Sequence, residues 1–78
     1  MVKKNNTYRQ KSKELIEIGQ KIRERRLSKG LTMMDLSFET DIDYRQIGRI
    51  ERGETNFTVK TLLRICQSLN CSLKNIIK

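Results

Sequence analysis

Apolar residues in this sequence recur three or four positions apart, in short segments that begin after Ser, Thr or Asp. Leu15, Ile18 and Ile22 form the first such stripe, and this spacing places side chains on one face of an α-helix. The chain contains no Pro, and its four Gly are isolated from one another. These features predict an all-α fold and exclude a β-sandwich or a long disordered linker.

Polar caps and glycines divide residues 12–78 into five predicted helices that form one small bundle, and residues 1–11 are predicted to be a flexible basic arm. A Ser, Thr or Asp side chain is typical of a helix start, and a left-handed Gly or Asn is typical of a helix end. The predicted starts are capped by Ser12 (or Thr7), Thr32, Asp43, Thr58 and Ser72. The predicted ends lie at Gly30, Asp41, Gly53 and Asn70.

The third predicted helix, residues 44–52, is mostly polar. Its only apolar residues after the opening Tyr are Ile47 and Ile50, which are three apart and predict a narrow buried stripe. The opposite face carries Tyr44, Arg45, Gly48, Arg49 and Arg52. An Arg side chain can donate two hydrogen bonds to a guanine edge in the major groove. The alternative for these side chains is an ordinary solvated face.

The fourth helix and the segment after it contain most of the remaining apolar residues. The predicted apolar face of the fourth helix consists of Val59, Leu62, Leu63, Cys66 and Leu69. Cys66 and Cys71 are interpreted as small core side chains, with a disulfide as the less favoured alternative.

Gly48 lies inside the third helix at a cost of about 1 kcal/mol relative to Ala. Either it permits a close approach to DNA or it is simply tolerated.

The charge of the chain favours a polyanionic partner. Its 17 Lys and Arg against nine Asp and Glu give a net charge of +8. Nucleic acid is the first candidate for such a chain, and an anionic membrane surface is the second. Residues 31–53 alone carry a net charge of −2. We therefore expect the flanks, and residues 1–13 in particular, to supply much of the salt-dependent affinity.

Several other classes of function lack the residues that they need. The chain has no His and no Gly-rich phosphate loop, so neither the usual general base nor a nucleotide site is expected and no enzyme activity is predicted. Two Cys do not make a zinc site, which needs about four ligands. No cofactor, metal or small-molecule ligand is expected. Neither a membrane span nor a signal peptide is recognisable, which predicts a cytoplasmic location.

The stretch LTMMDLSFETDIDYRQIGRIERG, residues 31–53, resembles the helix-turn-helix of the phage-repressor and Cro (XRE) family. The resemblance extends over residues 18–77, about three quarters of the chain. It implies a compact five-helix bundle of the lambda-repressor-like DNA-binding type, with the helix-turn-helix at helices 2 and 3. It also implies that double-stranded DNA is the partner.

The resemblance further implies a role for each matching position. Base contacts fall on Asp43, Tyr44, Arg45 and Arg49. Phosphate contacts fall on Thr32, Met33, Gln46, Arg52, Thr55, Asn56 and Lys60. Met33 stands where many relatives have Gln, and Asp41 stands where many have a turn Gly. A half-buried ion pair between Arg26 and Glu51 would join helix 1 to the end of helix 3.

One unit of this kind reads about half a site, so the resemblance implies a homodimer on a palindromic operator and a role in transcription regulation. The expected dimer interface is Leu69, Leu73, Ile76 and Ile77. An antitoxin that binds a toxin and represses its own operon is the alternative, although no tail is expected beyond Lys78 to hold the toxin. An RNA binder is disfavoured because four scattered aromatic residues make no stacking platform. Small proteins of this family resemble restriction-modification controllers and phage repressors.

Overall fold

A computed structural model of the chain describes residues 12–77. The helices are α1 (Lys13–Ser28), α2 (Met33–Thr40), α3 (Tyr44–Glu51), α4 (Val59–Ser68) and α5 (Leu73–Ile76). Within residues 12–77 no segment forms a strand, and the prediction of an all-α, five-helix fold is confirmed. The predicted basic arm, residues 1–11, lies outside the described residues.

The predicted side-chain caps begin the first four helices. Ser12 and Thr58 each accept a hydrogen bond from the main-chain N–H three residues on, at 3.0 and 3.1 Å. Thr32 and Asp35 form a capping box in which each side chain accepts the other's main-chain N–H, at 3.0 and 2.9 Å. These hydrogen bonds hold the pKa of Asp35 below its ordinary value. Asp43 accepts the N–H two residues on at 2.7 Å. Local sequence therefore decides where these helices begin.

Each predicted helix end contains a residue in the left-handed region. Gly30 and Gly53 have φ of 73°, Asp41 has 60° and Asn70 has 55°. Asp and Asn are the non-Gly residues that tolerate this region best. Gly53 is constrained a second time, because a Cβ there would lie 2.7 Å from the Cα of Ile16 on α1.

The core is aliphatic and draws on every helix. Its buried members are Ile22, Leu36, Ile42, Ile47, Ile50, Leu62, Ile65, Cys66, Leu69 and Ile76. The prediction for α4 was partly wrong. Val59 and Leu63 are 65% and 48% exposed, whereas Ile65, which was not assigned to the apolar face, is fully buried. The buried stripe of α4 is therefore rotated from the predicted one, because α2 and α5 pack on the Ile65 side.

The helix α1 packs closely against the end of α3. The contact is made at Gly19, where an added Cβ would lie 2.5 Å from the main-chain oxygen of Glu51 and even closer to that of Ile50. Real Cβ atoms do not approach main-chain oxygens this closely, so only Gly fits at this position. The absence of a side chain at Gly19 therefore sets the distance between the two helices.

The cysteines lie at the junction of α4 and α5. Cys66 is buried and Cys71 is half-buried, and both are free thiols. The N–H of Cys71 donates to the carbonyl of Cys66 at 2.9 Å, in the hydrogen-bond pattern that ends many helices. Burial raises the pKa of the Cys66 thiol to about 11. Cys66 is therefore an uncharged core side chain at neutral pH, as interpreted from the sequence.

No helix within residues 12–77 has both the length and the apolar character that crossing a bilayer requires.

The two helical glycines provide a matched test of the α1–α3 contact. Gly19→Ala should destabilise the protein by about 1–3 kcal/mol or more, because the new methyl group overlaps main-chain atoms. Gly48→Ala should stabilise it by up to about 1 kcal/mol, because Ala is the better helix former and the nearest atom, 3.0 Å away, is the mobile end of Arg52. Urea unfolding of both variants measures the difference. Equal changes in the two midpoints would contradict the close contact at Gly19.

Candidate nucleic-acid interface

The helix α3 is anchored by Ile47 and Ile50, each of which is 1% exposed. Gly48 and Glu51 are buried as well, although Gly48 was placed on the opposite, exposed face. Glu51 lies on the side of α3 that α1 approaches, and Gly48 is covered by the side chain of Arg52. The anchored side of α3 is thus broader than the apolar pattern indicated, and the helix is held along its whole length.

The other side of α3 faces solvent. Tyr44 is 43% exposed, and Arg45, Arg49 and Arg52 are exposed as well. With 3.6 residues per turn, the three Arg side chains fall within about 60° of one another around the helix axis. Arg45 and Arg49, two of the residues predicted to contact bases, therefore share one side of α3, whereas Tyr44 lies about 100° from Arg45 around the axis and Asp43 is exposed at the N-terminal tip.

The turn between α2 and α3 is tied to α2 by side-chain hydrogen bonds. The Ser37 hydroxyl donates to the carbonyl of Ile42 at 2.5 Å, and the Thr40 hydroxyl, which donates to the carbonyl of Leu36 at 2.7 Å, accepts from the N–H of Ile42 at 3.3 Å. Ile42, which lies in the turn, is 8% exposed and packs into the core. These contacts fix the angle at which α3 leaves α2, which is what a helix-turn-helix needs in order to present its second helix.

A buried ion pair joins α1 to α3. The Arg26 guanidinium donates to both carboxylate oxygens of Glu51, at 2.6 Å from Nε and 2.9 Å from Nη2. The side chains of Arg26 and Glu51 are 8% and 4% exposed. A third hydrogen bond, 2.8 Å long, runs from Arg26 to the carbonyl of Leu31. The hydrogen bonds to Glu51 raise the pKa of Arg26 above its ordinary value. Both groups are fully engaged within the protein, and their role here is structural.

The residues predicted to contact phosphate lie on several elements around α3. Thr32, Arg52, Asn56 and Lys60 are exposed, and Met33, Gln46 and Thr55 are half-buried. Met33 packs against the core, so a phosphate at this position would have only its main-chain N–H to bind. The Thr55 hydroxyl donates to the carbonyl of Asn56 at 3.1 Å.

Arg52 is held by a partner that the sequence analysis did not identify. Its guanidinium donates to both carboxylate oxygens of Glu54, at 3.0 and 3.1 Å. These hydrogen bonds raise the pKa of Arg52. The pair is partly exposed, and it fixes the guanidinium above Gly48 at the edge of the exposed side of α3. The end of the Arg52 side chain lies 3.0 Å from where a Cβ on Gly48 would be, so an Ala there needs only a small shift of Arg52.

The four residues predicted to form a dimer interface do not share one surface. Leu69 and Ile76 are 2% and 1% exposed in the single chain, so they are core residues and offer no surface to a second copy. Leu73 is half-buried against the core, and Ile77 is 41% exposed. The apolar residues of a short terminal helix give the same sequence pattern whether they complete the core or face a partner. The pattern therefore did not separate these cases.

The described residues contain no cluster of metal-ligating side chains. Across residues 12–77, no group of three or more His, Cys, Asp or Glu side chains is placed to hold an ion.

Within the five-helix unit, α2 and α3 are joined by a short capped turn, and α3 is exposed and rich in Arg. This arrangement defines a helix-turn-helix protein. The family model for helix-turn-helix proteins (HTH_3) matches residues 22–76. The chain belongs to this family, that of the XRE-type helix-turn-helix proteins, and is a DNA-binding regulator.

Solved structures of regulators share the fold. The restriction-modification controller protein C.AhdI from Aeromonas hydrophila is 29% identical with a TM-score of 0.82, over 85% of this chain and 100% of that chain. The wild-type controller protein C.Esp1396I is 32% identical with a TM-score of 0.75, over 85% and 96%. The clp gene regulator ClgR from Corynebacterium glutamicum, at 21% identity and a TM-score of 0.79 over 86% and 71%, shares the fold. No match was found among curated protein sequences.

The buried ion pair should matter far more to stability than the exposed one. Glu51→Ala leaves the Arg26 charge buried without its partner, and we expect a loss of about 3–5 kcal/mol in the free energy of unfolding. Glu54→Ala removes a carboxylate from a solvated pair and should change stability little. Chemical denaturation of both variants measures the contrast. A loss for Glu51→Ala no larger than that of the control would show that the pair does not hold α1 to α3.

Proposed function

We propose that this chain binds a palindromic DNA operator as a homodimer and regulates transcription from it. The observation that carries the proposal is the exposed surface of α3, where Arg45 and Arg49 share one side and the 43% exposed Tyr44 lies at its edge, on a helix held in place by buried residues. An α-helix of this diameter fits the major groove, where every base pair presents a distinct pattern of donors and acceptors.

Base recognition is assigned to the N-terminal part of α3. Arg45 and Arg49 are four residues apart and therefore neighbours on the helix surface. Each guanidinium matches the two acceptors of a guanine edge, so at least one guanine is expected in each half-site. Tyr44 and Asp43 directly precede Arg45 at the N-terminal tip of α3. The Asp43 carboxylate also caps α3 by accepting the N–H of Arg45, which limits the directions in which it can reach a base.

Phosphate contacts are assigned to groups that flank α3. They are Thr32 and the Met33 main chain on α2, Gln46 and Arg52 at the two edges of α3, Thr55 and Asn56 in the following loop, and Lys60 on α4. The first turn of α4 presents main-chain N–H groups at the positive end of a helix dipole, which favours a phosphate. Such contacts fix orientation and carry no sequence information themselves.

Dimerisation follows from the size of the reading unit. One α3 spans about half of a typical operator, and two copies separated by one DNA turn, about 34 Å, read a palindrome. In the described part of the chain, the exposed large apolar residues fall into two groups. Leu27, Met34, Phe38 and Tyr44 belong to the first half of the chain, and Val59, Leu63 and Ile77 belong to the second.

We assign the dimer interface to the second group. Val59 and Leu63 are four residues apart on α4, so they form an apolar stripe that faces solvent in the single chain. Ile77, which follows α5, is the exposed member of the four residues expected from the sequence to form the interface. Leu73, also among the four, is half-buried. The first group includes Tyr44, which the proposed DNA contact requires. A symmetric dimer needs the same patch on both copies, and this stripe supplies one.

The comparisons support a regulatory role. C.AhdI and C.Esp1396I are restriction-modification controller proteins, and the match to C.AhdI covers the whole of that chain. A regulator that depends on dimerisation responds to its own concentration, because only the dimer engages both half-sites with high affinity.

Binding to matched duplexes tests the DNA-reading proposal. At physiological salt, the protein should bind a palindrome selected from a random pool well above a scrambled duplex of the same composition. Arg49→Ala should relax base preference at one position of each half-site by about 1–3 kcal/mol, whereas Lys60→Ala should weaken all duplexes alike. Electrophoretic mobility shifts with single-base variants give both results. Equal affinity for palindrome and scrambled duplex would refute the proposal, and reversed effects of the two substitutions would refute the assigned roles.

Sedimentation equilibrium tests the dimer surface. Leu63→Lys places a charge in the proposed stripe and should shift the protein toward monomer, with weaker operator binding at low protein concentration. Phe38→Lys is the matched control, because Phe38 is 89% exposed in the other apolar group. It should leave the association state unchanged. Dissociation by the Phe38 variant alone would move the interface to the first group, and a monomeric wild-type protein would exclude the dimer.

A further inference from the structure

A cleft of about 540 Å³ lies between α1 and α3, beside the side of α3 that faces solvent. One wall carries Gln20 and Arg23 from α1, and the other carries Gly48 and Arg52 from α3. Glu51, in its ion pair, also lines the cleft, together with Met33 at the start of α2. Arg52 and Met33 were predicted to contact phosphate, but Gln20 and Arg23 were assigned no role.

The position of the cleft follows from the geometry of α3. At about 100° per residue, Arg52 lies roughly 20° and Gly48 roughly 60° from Arg45 around the helix axis, on the same side. Moving from the exposed face of α3 past these two residues leads directly into the cleft. The cleft therefore opens at the edge of the surface proposed to enter the major groove.

The wall of the cleft formed by α1 lies close to α3. Gly19 brings α1 against the main chain of Ile50 and Glu51, closer than any other residue type allows. Arg23 is four residues after Gly19 and so lies on the same face of α1, one turn along. An α-helix with its side chains, about 10–12 Å across, fills the width of a major groove. The sugar-phosphate strand that borders the groove must then pass over the element packed beside α3, which on this side is α1.

Among the guanidinium groups that line the cleft, Arg23 is the one without a partner within residues 12–77. Arg26 donates to Glu51 and to the carbonyl of Leu31, and Arg52 donates to Glu54. Within residues 12–77, Arg23 forms neither an ion pair nor a hydrogen bond, and it is exposed. An anion in the cleft would meet a guanidinium that needs no rearrangement to bind it.

We infer that Arg23 binds a phosphate of the DNA strand that borders the α3 groove, opposite Arg52 across the cleft. This inference rests on the proposed function and extends the DNA contacts to α1, an element to which no contact was assigned. The ligand is a backbone phosphodiester, so Arg23 contributes affinity and register and does not select a base.

The test compares two charge-neutral substitutions in the full chain. Arg23→Gln removes the proposed contact, and Arg64→Gln removes an equal charge from an exposed residue of α4 that borders a different groove, near Glu39 and Asp41. Association constants are measured between about 50 and 200 mM salt on the selected palindrome and on its scrambled duplex. Arg23→Lys is added because it restores the charge, and urea unfolding verifies that all variants are folded.

Arg23→Gln should reduce the slope of log affinity against log salt by about 0.9 for each protomer bound, with the ratio of palindrome to scrambled affinity unchanged. Arg23→Lys should restore most of the slope, and Arg64→Gln should leave it unchanged. The inference is overturned if Arg23→Gln keeps the wild-type slope, or if both Gln variants lose the same amount. Failure of the wild-type protein to prefer the palindrome would refute the proposed function instead, because the slopes on either duplex still report on Arg23.

Discussion

The bidentate contact between Arg26 and Glu51 is the interaction on which the placement of α3 depends. It lies at the back of α3, opposite the side that faces solvent, and it connects the last turn of that helix to the last turn of α1, the longest helix within residues 12–77. A charge pair removed from water is costly, and it repays this cost only when its hydrogen bonds are complete. Here every oxygen of the carboxylate and most of the guanidinium have partners.

The ion pair and the Gly19 contact act together. Without a side chain at Gly19, α1 comes close enough for Arg26, two turns later, to reach Glu51. The two features set the distance and the angle between α1 and α3, and the hydrogen bonds that join Ser37 and Thr40 to Ile42 set the angle between α2 and α3. An eight-residue helix with two buried Ile side chains gains its rigidity from these directional contacts as much as from apolar burial.

Much of the fold was predictable because its boundaries are coded locally. Caps at Thr32 and Asp43, and left-handed residues at Gly30 and Asp41, depend on neighbours within a few positions, and the structure has each of them where the sequence indicated. The apolar face of α4 was not predictable to the same degree. Its apolar residues span about 160° of the helix circumference, wider than the buried stripe, and which of Leu63 and Ile65 is buried depends on how distant helices pack. The burial of Leu69 and Ile76 likewise depends on tertiary packing and was not predicted. The pair of Arg52 with Glu54 was not predicted either, because no sequence spacing rule indicates it.

The buried side of α3 consists of Ile47, Gly48, Ile50 and Glu51, whereas Arg45 and Arg49 are exposed and Tyr44 is 43% exposed. The side chains proposed to read DNA, at positions 44, 45 and 49, are therefore distinct from those that anchor the helix. Under the proposed function, substitutions at these three positions change the target sequence on an unchanged frame. For the same reason, variants built by exchanging these three side chains form a natural starting library for redirecting the protein to other sequences.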